Sequence, residues 1–205
     1  QYLGENGVIY SYDLSYGVYA YDPEGKLIDT DTVTFDKSTD TPSVSSMPTS
    51  PMKSAMQQQM QLFSQLLPGG DGTPVSGAVR DNYEVAYGRW PEKYNETVLI
   101  LDENNEIDLD AMYKLGLLPS EDYEAMMKKL QDGQEADTED HSFDYADVCG
   151  RSFYLIPECG RYKDNGDGTF SYVGAGEDET ASLMDGAIKL SVVGVVRPTQ
   201  DGDLT

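Results

Sequence analysis

The chain has 205 residues and a formal net charge of −23, from 14 Lys and Arg against 37 Asp and Glu. With 39% hydrophobic residues and 15 Tyr it can bury a core, which excludes a purely disordered acidic tail. So strong an anionic field repels phosphate backbones and excludes nucleic acid as a partner, and a single histidine, His141, rules out His-rich metal sites and leaves little room for a Ser/His/Asp or Cys/His catalytic set.

Residues 7–21, Gly7-Val-Ile-Tyr-Ser-Tyr-Asp-Leu-Ser-Tyr-Gly-Val-Tyr-Ala-Tyr21, carry aromatic and β-branched side chains in partial alternation. They read as a strand that turns at Asp22-Pro-Glu-Gly25 into a return strand, Lys26-Leu-Ile-Asp29, with the tyrosines as cross-strand packing. Between 38 and 78 only Asp40, Lys53 and Asp71 are charged, and residues 43–51 and 68–74 read as loops. Between those loops Met52, Met56, Met60, Phe63 and Leu67 recur at three- and four-residue spacing, which predicts an amphipathic helix of roughly four turns over about 52–67. Because Met side chains are flexible and polarisable, Met52, Met56, Met60 and Phe63 are a candidate recognition surface; the alternative is an ordinary helix packed on a sheet.

Residues 83–91 predict a short strand, and 96–102 a buried one. Asp108 is placed to cap a helix that runs through Leu115 and stops at Gly116, and Ser120 to cap a second, with an acidic first turn, that ends about Gln131 before Gly133. Residues 121–147 hold ten acids against Lys128 and Lys129, which reads as a solvated face, with His141 a solvated loop residue. The last third is β-rich: strands are expected at 151–157, on both sides of Asp164-Asn-Gly-Asp-Gly168, and at 188–196. The Asn-Gly and Asp-Gly pairs supply the positive φ angles of a hairpin turn. A calcium-loop reading of this turn fails, because Gly166 and Gly168 stand where oxygen ligands belong and Ala175 stands at the twelfth position.

Asp102, Asn104, Glu106 and Asp108 offer oxygen donors for a weak surface Ca²⁺ site, beside their plainer use as a turn and a helix cap. Cys149 and Cys159 flank a predicted strand: a disulfide joins them if the chain turns back there, and otherwise they are two free thiols. Their spacing matches no zinc pattern. There is no Gly-x-Ser-x-Gly elbow, Walker loop or His-Glu-x-x-His helix, so no catalytic residue and no cofactor is expected. Asn95-Glu-Thr97 matches a glycosylation sequon.

Three stretches in order carry a resemblance: Tyr87-Gly-Arg-Trp-Pro-Glu-Lys-Tyr-Asn-Glu-Thr-Val-Leu-Ile-Leu-Asp-Glu-Asn-Asn-Glu-Ile107, Gly150-Arg-Ser-Phe-Tyr-Leu-Ile156 and Lys189-Leu-Ser-Val-Val-Gly-Val-Val-Arg-Pro198. The order resembles the extracytoplasmic domain of MacB/FtsX-type ABC-transporter permeases of the Gram-positive kind, and Tyr10-Ser-Tyr-Asp-Leu14 and Tyr113-Lys-Leu-Gly-Leu117 add to it. The Cys149/Cys159 pair is not part of that pattern.

The resemblance implies an α+β body. Residues 1–90 would form a strand-helix-strand, porter-like portion, and 91–205 a smaller, mostly β, sabre-like portion. Gly88 and Arg89 would mark the crossing between them, and Gly194 would allow a bend or close approach in its strand. It further implies a non-catalytic domain on the extracellular face of the cell membrane. Its partners would be membrane helices of the same polypeptide, a cytoplasmic ATP-binding subunit or domain, and a second copy in a dimeric transporter. The sequence opens at Gln1 without an initiator Met, so the expectation is a segment of a longer membrane protein. The competing expectation is a secreted or surface-anchored binding or adhesion module, with a secreted hydrolase third.

Overall fold

The computed structural model describes residues 14–35, 62–70, 72–133 and 141–199. Its centre is a six-stranded, mostly antiparallel sheet with short helices around it, a mixed α+β arrangement. The first hairpin forms as the turn chemistry dictates: β1 (Tyr16–Tyr21) and β2 (Leu27–Asp29) pair antiparallel around Asp22–Gly25, where Gly25 sits at φ 83°. After α1 (Gly77–Asn82), capped by the Ser76 hydroxyl, come β3 (Tyr83–Gly88) and β4 (Glu96–Ile100). Helices α2 (Leu109–Lys114), α3 (Ser120–Gln131) and α4 (Tyr145–Cys149) precede β5 (Ser152–Pro157). The chain closes through β6 (Tyr162–Asp164), β7 (Phe170–Tyr172), α5 (Glu177–Ala181) and β8 (Ile188–Pro198).

β8 organises the sheet because it is long, β-branched and paired on both edges. Ser191 lies opposite both Ser152 of β5 and Glu96 of β4, and Gly194 opposite both Gly88 of β3 and Val98 of β4. A residue has one partner per edge, so β5 and β3 share one edge of β8 end to end and β4 occupies the other. Pairing is antiparallel to β3 and β5 and parallel to β4. Strands from 1–90 and from 91–205 therefore meet in this one sheet, β1 against β5 and β3 against β8.

Alternation along the strands divides the core in two. Val18, Ala20, Ile28, Phe153 and Val192 face one side, where Met112 of α2, Leu115 and Leu117 just after it, and Val148 of α4 cover them. Tyr19, Leu27 and Ile156 face the other, under Phe35, Leu183, Met184 and Ala187. The tyrosines pack across strands as expected, Tyr21 edge-on to Tyr154 at 5.7 Å. β6 and β7 form a separate two-stranded hairpin outside the main sheet.

Several elements differ from the sequence expectation, each for a non-local reason. None of the five residues of β4, expected to be buried, is fully buried, because among the described residues it pairs only with β8. The predicted helix over 52–67 falls largely outside the described residues, and its described end, 62–67, is not helical. The residue before a proline is biased to extended backbone, which disfavours helix at Leu67, immediately before Pro68. Ser120 does not cap α3: it is the first helical residue, and its amide and hydroxyl both donate to Asp22 Oδ2, at 3.0 and 2.8 Å. Burial works against the Asp22 charge, but the hydrogen bonds from Ser120, Lys26 and Glu24 hold its carboxyl below the usual range. Of the acids over 121–147, Glu121, Asp122, Glu124, Asp132, Asp144 and Asp147 are exposed, and Glu135, Asp137, Glu139 and Asp140 lie outside the described residues.

Candidate functional site

The block around residues 88–96 folds into a brace. Gly88 ends β3 at φ 74°, a conformation that only glycine adopts at low cost. The guanidinium of Arg89 grips the Glu96 carboxylate bidentately, at 2.8 and 2.7 Å, and the amides of Glu92 and Lys93 donate to the same carboxylate. These bonds, the one from Arg89 first, hold the Glu96 carboxyl down to about 2. Asn95 ties the loop to β8 through Nδ2 and the Lys189 carbonyl, at 3.1 Å, so the amide of the glycosylation sequon is already engaged. On β8, a Cβ at Gly194 would run into the Arg89 carbonyl oxygen, and a Cβ at Gly88 into the Val193 carbonyl oxygen. The close approach expected at Gly194 is therefore the contact between this loop and β8.

Beside the brace, at β4, lies an apolar cavity of about 140 Å³. Leu62, Phe63 and Leu66 close it from one side, and Val98, Ile100 and Phe153 line the other. Phe63 meets Phe153 edge-on at 4.9 Å, and its carbonyl accepts from the Tyr16 hydroxyl at 3.1 Å. Further along this segment the Leu67 carbonyl accepts from the Ser76 amide at 2.7 Å. Among the described residues Arg151 is the one charged residue in the lining, and burial pushes its guanidinium below its ordinary range. The cavity is large enough for one branched aliphatic or ring-sized group; a dry apolar cavity of about 150 Å³ takes a benzene. Phe63 thus lines a recess through a non-helical segment, while Met52, Met56 and Met60 lie outside the described residues.

The remaining candidates are kept apart. Asp102 Oδ1 accepts from the amides of Asn104 and Glu106, its Oδ2 from the Asn104 side chain, and Asp108 occupies the cap position of α2. Among the described residues no three His, Cys, Asp or Glu side chains come together as a metal site. Cys149 and Cys159 are free thiols, separated by the length of β5. Six extended residues span ~20 Å at about 3.3 Å each, far beyond the roughly 7 Å that a disulfide bridges between Cα atoms. Freshly isolated protein should therefore show two titratable thiols and an unshifted mass on reduction; a mass two hydrogens lower before reduction would contradict this separation. His141 is exposed, at the rim of a more polar hollow of about 340 Å³ between α2 and α3.

Sequence reasoning missed Leu62, Leu66, Val98, Ile100 and Arg151 as lining residues, since they meet only when β4 takes the sheet edge. It also missed Arg161, 3% exposed, which donates to the Gly174 carbonyl at 2.8 Å and to the Tyr19 hydroxyl. Its position after Gly160 and ahead of an Asp-Gly hairpin was the available signal. No helix among the described residues is long and apolar enough to cross a membrane. Comparison with protein-family models, curated proteins and solved structures finds no match to this chain.

Proposed function

We propose that this chain is the non-catalytic extracellular domain of an ABC-transporter permease, with a MacB-like fold. It would couple ATP-driven motion of membrane helices to the export or extraction of a hydrophobic or peptide-like substrate. The observation that supports this reading best is the brace. Gly88, Arg89, Asn95, Glu96 and Gly194 belong to the two most distant stretches of the resemblance, and in the fold they contact one another and bind β3, β4 and β8 together. A domain that relays motion needs to move as one body, and a bidentate ion pair backed by glycine close packing supplies that stiffness. The apolar cavity beside it is of a size to hold one apolar side chain of a cargo.

In this proposal the partners are membrane helices of the same polypeptide, a cytoplasmic ATP-binding subunit or domain and, in the assembled transporter, a second copy. The test is the encoded polypeptide and its topology. Apolar spans of ~20 residues on either side of this segment, and protease access to it from outside intact cells, are the expected results. A signal peptide with no later span would overturn the proposal in favour of a secreted or surface-anchored binding module. That second reading has its own support in the exposed aromatic face of the β6–β7 hairpin.

A further inference from the structure

In the β6–β7 hairpin Tyr162 pairs with Tyr172 and Asp164 with Phe170. Directly opposed residues share a face and successive residues alternate, so Tyr162, Asp164, Phe170 and Tyr172 lie on one face and Lys163 and Ser171 on the other. Tyr162 is 51% exposed, Phe170 65% and Tyr172 51%, and none of the three belongs to either core cluster. The Tyr162 and Tyr172 rings meet edge-on at 5.3 Å. A two-stranded hairpin with three large rings in water gains little of its own stability from them, since burial is what makes aromatic rings stabilising.

The hairpin is nevertheless built firmly. Arg161 clamps its base: the backbone carbonyl accepts from the Val173 amide at 2.7 Å, and the guanidinium reaches Gly174 and the Tyr19 hydroxyl of β1. At the tip the Asp164 carboxylate accepts from the Gly166 amide, and the Asp167 carboxylate from the amide and hydroxyl of Thr169. The rings are therefore presented on a pre-organised arm, which lowers the ordering cost of binding.

We propose that this aromatic face is a docking surface for a Lys- or Arg-bearing segment of a polypeptide partner. The occupant follows from charge. Asp164 shares the face with the rings, Asp167 stands at the tip, and the Glu158 carboxylate lies near the Tyr172 hydroxyl and adds to the negative charge there. Of the two cations in the segment 158–173, Arg161 is buried and Lys163 points from the opposite face. Aromatic faces attract ammonium and guanidinium groups, adjacent carboxylates add ion pairing, and a chain of net charge −23 draws cations toward it while repelling anionic lipid and phosphate. The inference stands whether the chain serves a transporter or a surface-anchored binding module.

The experiment measures binding of two fluorescent heptapeptides to the 205-residue chain, one alternating Lys and Leu and the other Glu and Leu, in about 0.15 M salt to screen diffuse attraction. The Lys peptide should bind and the Glu peptide should not, with amide NMR shifts concentrated at 158–173. Combined Tyr162→Ser, Phe170→Ser and Tyr172→Ser should weaken binding at least about tenfold, as expected when central aromatic anchors are lost. Asp164→Asn should weaken it several-fold, and should do so even if the triple variant is poorly folded. The control, combined Glu121→Gln, Asp122→Asn and Glu124→Gln on α3, should leave affinity unchanged. Equal weakening by the control, shifts spread over the whole surface, or full affinity in both hairpin variants would overturn the proposal. So would binding of neutral oligosaccharides or phosphatidylcholine vesicles through these rings in place of the Lys peptide.

Discussion

A Gly194→Ala variant should unfold at a distinctly lower urea concentration than the parent chain, with a loss of about 3 kcal/mol, the upper part of the range for overpacking a tight site. The added methyl would be driven into the Arg89 carbonyl oxygen, which belongs to backbone and cannot swing aside as a side-chain end could. Arg89 is in turn fixed by its amide, which donates to the Val193 carbonyl at 3.0 Å, and by its grip on Glu96. Gly88→Ala should cost a similar amount for two separate reasons: a Cβ at φ 74° adds roughly 1–2 kcal/mol, and that Cβ would strike the Val193 carbonyl. Because the two glycines face each other across β3 and β8, the double variant should cost less than the sum of the singles. An unchanged denaturation midpoint for Gly194→Ala would mean that the loop and β8 are not held in this contact.

Asp29→Asn should stabilise the chain at neutral pH, and the gain should vanish on acidification. Asp29 sits on β2 opposite Tyr19 and accepts from the Asp31 amide at 2.9 Å. Burial, opposed by that hydrogen bond and reinforced by the nearby Asp31 charge, pushes its carboxyl up to about 6, while Arg161 pulls the other way. An acid whose folded value is raised binds its proton more tightly when folded. Its ionisation therefore costs stability progressively as pH rises between about 4 and 6, and the full cost, about 3 kcal/mol, is present above that window. At pH 4 most of the cost is already gone, and well below pH 4 the side chain is neutral in both states and the cost is absent. The measurement is the difference in unfolding free energy between Asp29→Asn and the parent at pH 7.5 and pH 4, because the difference cancels the opposite trends of carboxylates such as Asp22. A difference that does not change with pH would show that Asp29 is solvated in the folded chain.

The parts of the fold that were legible in the sequence are those set by local backbone demands. Gly25, Gly116, Gly133, Gly166 and Gly168 all adopt the positive φ that their turns and helix ends require. The return strand β2, the β6–β7 hairpin, α2, α3 and β8 follow within a few residues of where those signals and the apolar patterning put them, while the first strand, expected from residue 7, begins at Tyr16, and residues 7–13 lie outside the described residues. Of the candidate site, the glycine contact at Gly194 was legible only through the resemblance, and the Arg89–Glu96 pair not at all. A salt bridge seven residues apart across a loop has no periodic signature.

What the tertiary structure alone decided is which side of each element is covered, and by what. The run from Glu96 to Ile100 reads the same for a central strand and an edge strand; only its parallel pairing with β8, about a hundred residues later, puts it at the edge and opens the cavity beside Phe63. Asp22 became the cap of α3 because two turns 98 residues apart in sequence meet. Cys149 and Cys159 stayed apart because β5 is straight where a bridge would have needed a return. The net charge of −23, the lone His141 and the turn glycines were properties of the sequence by itself, since composition and local φ need no partner. Burial, pairing and the pull on Asp29 and Arg161 needed the whole chain, because they depend on which distant residues exclude water from a given atom.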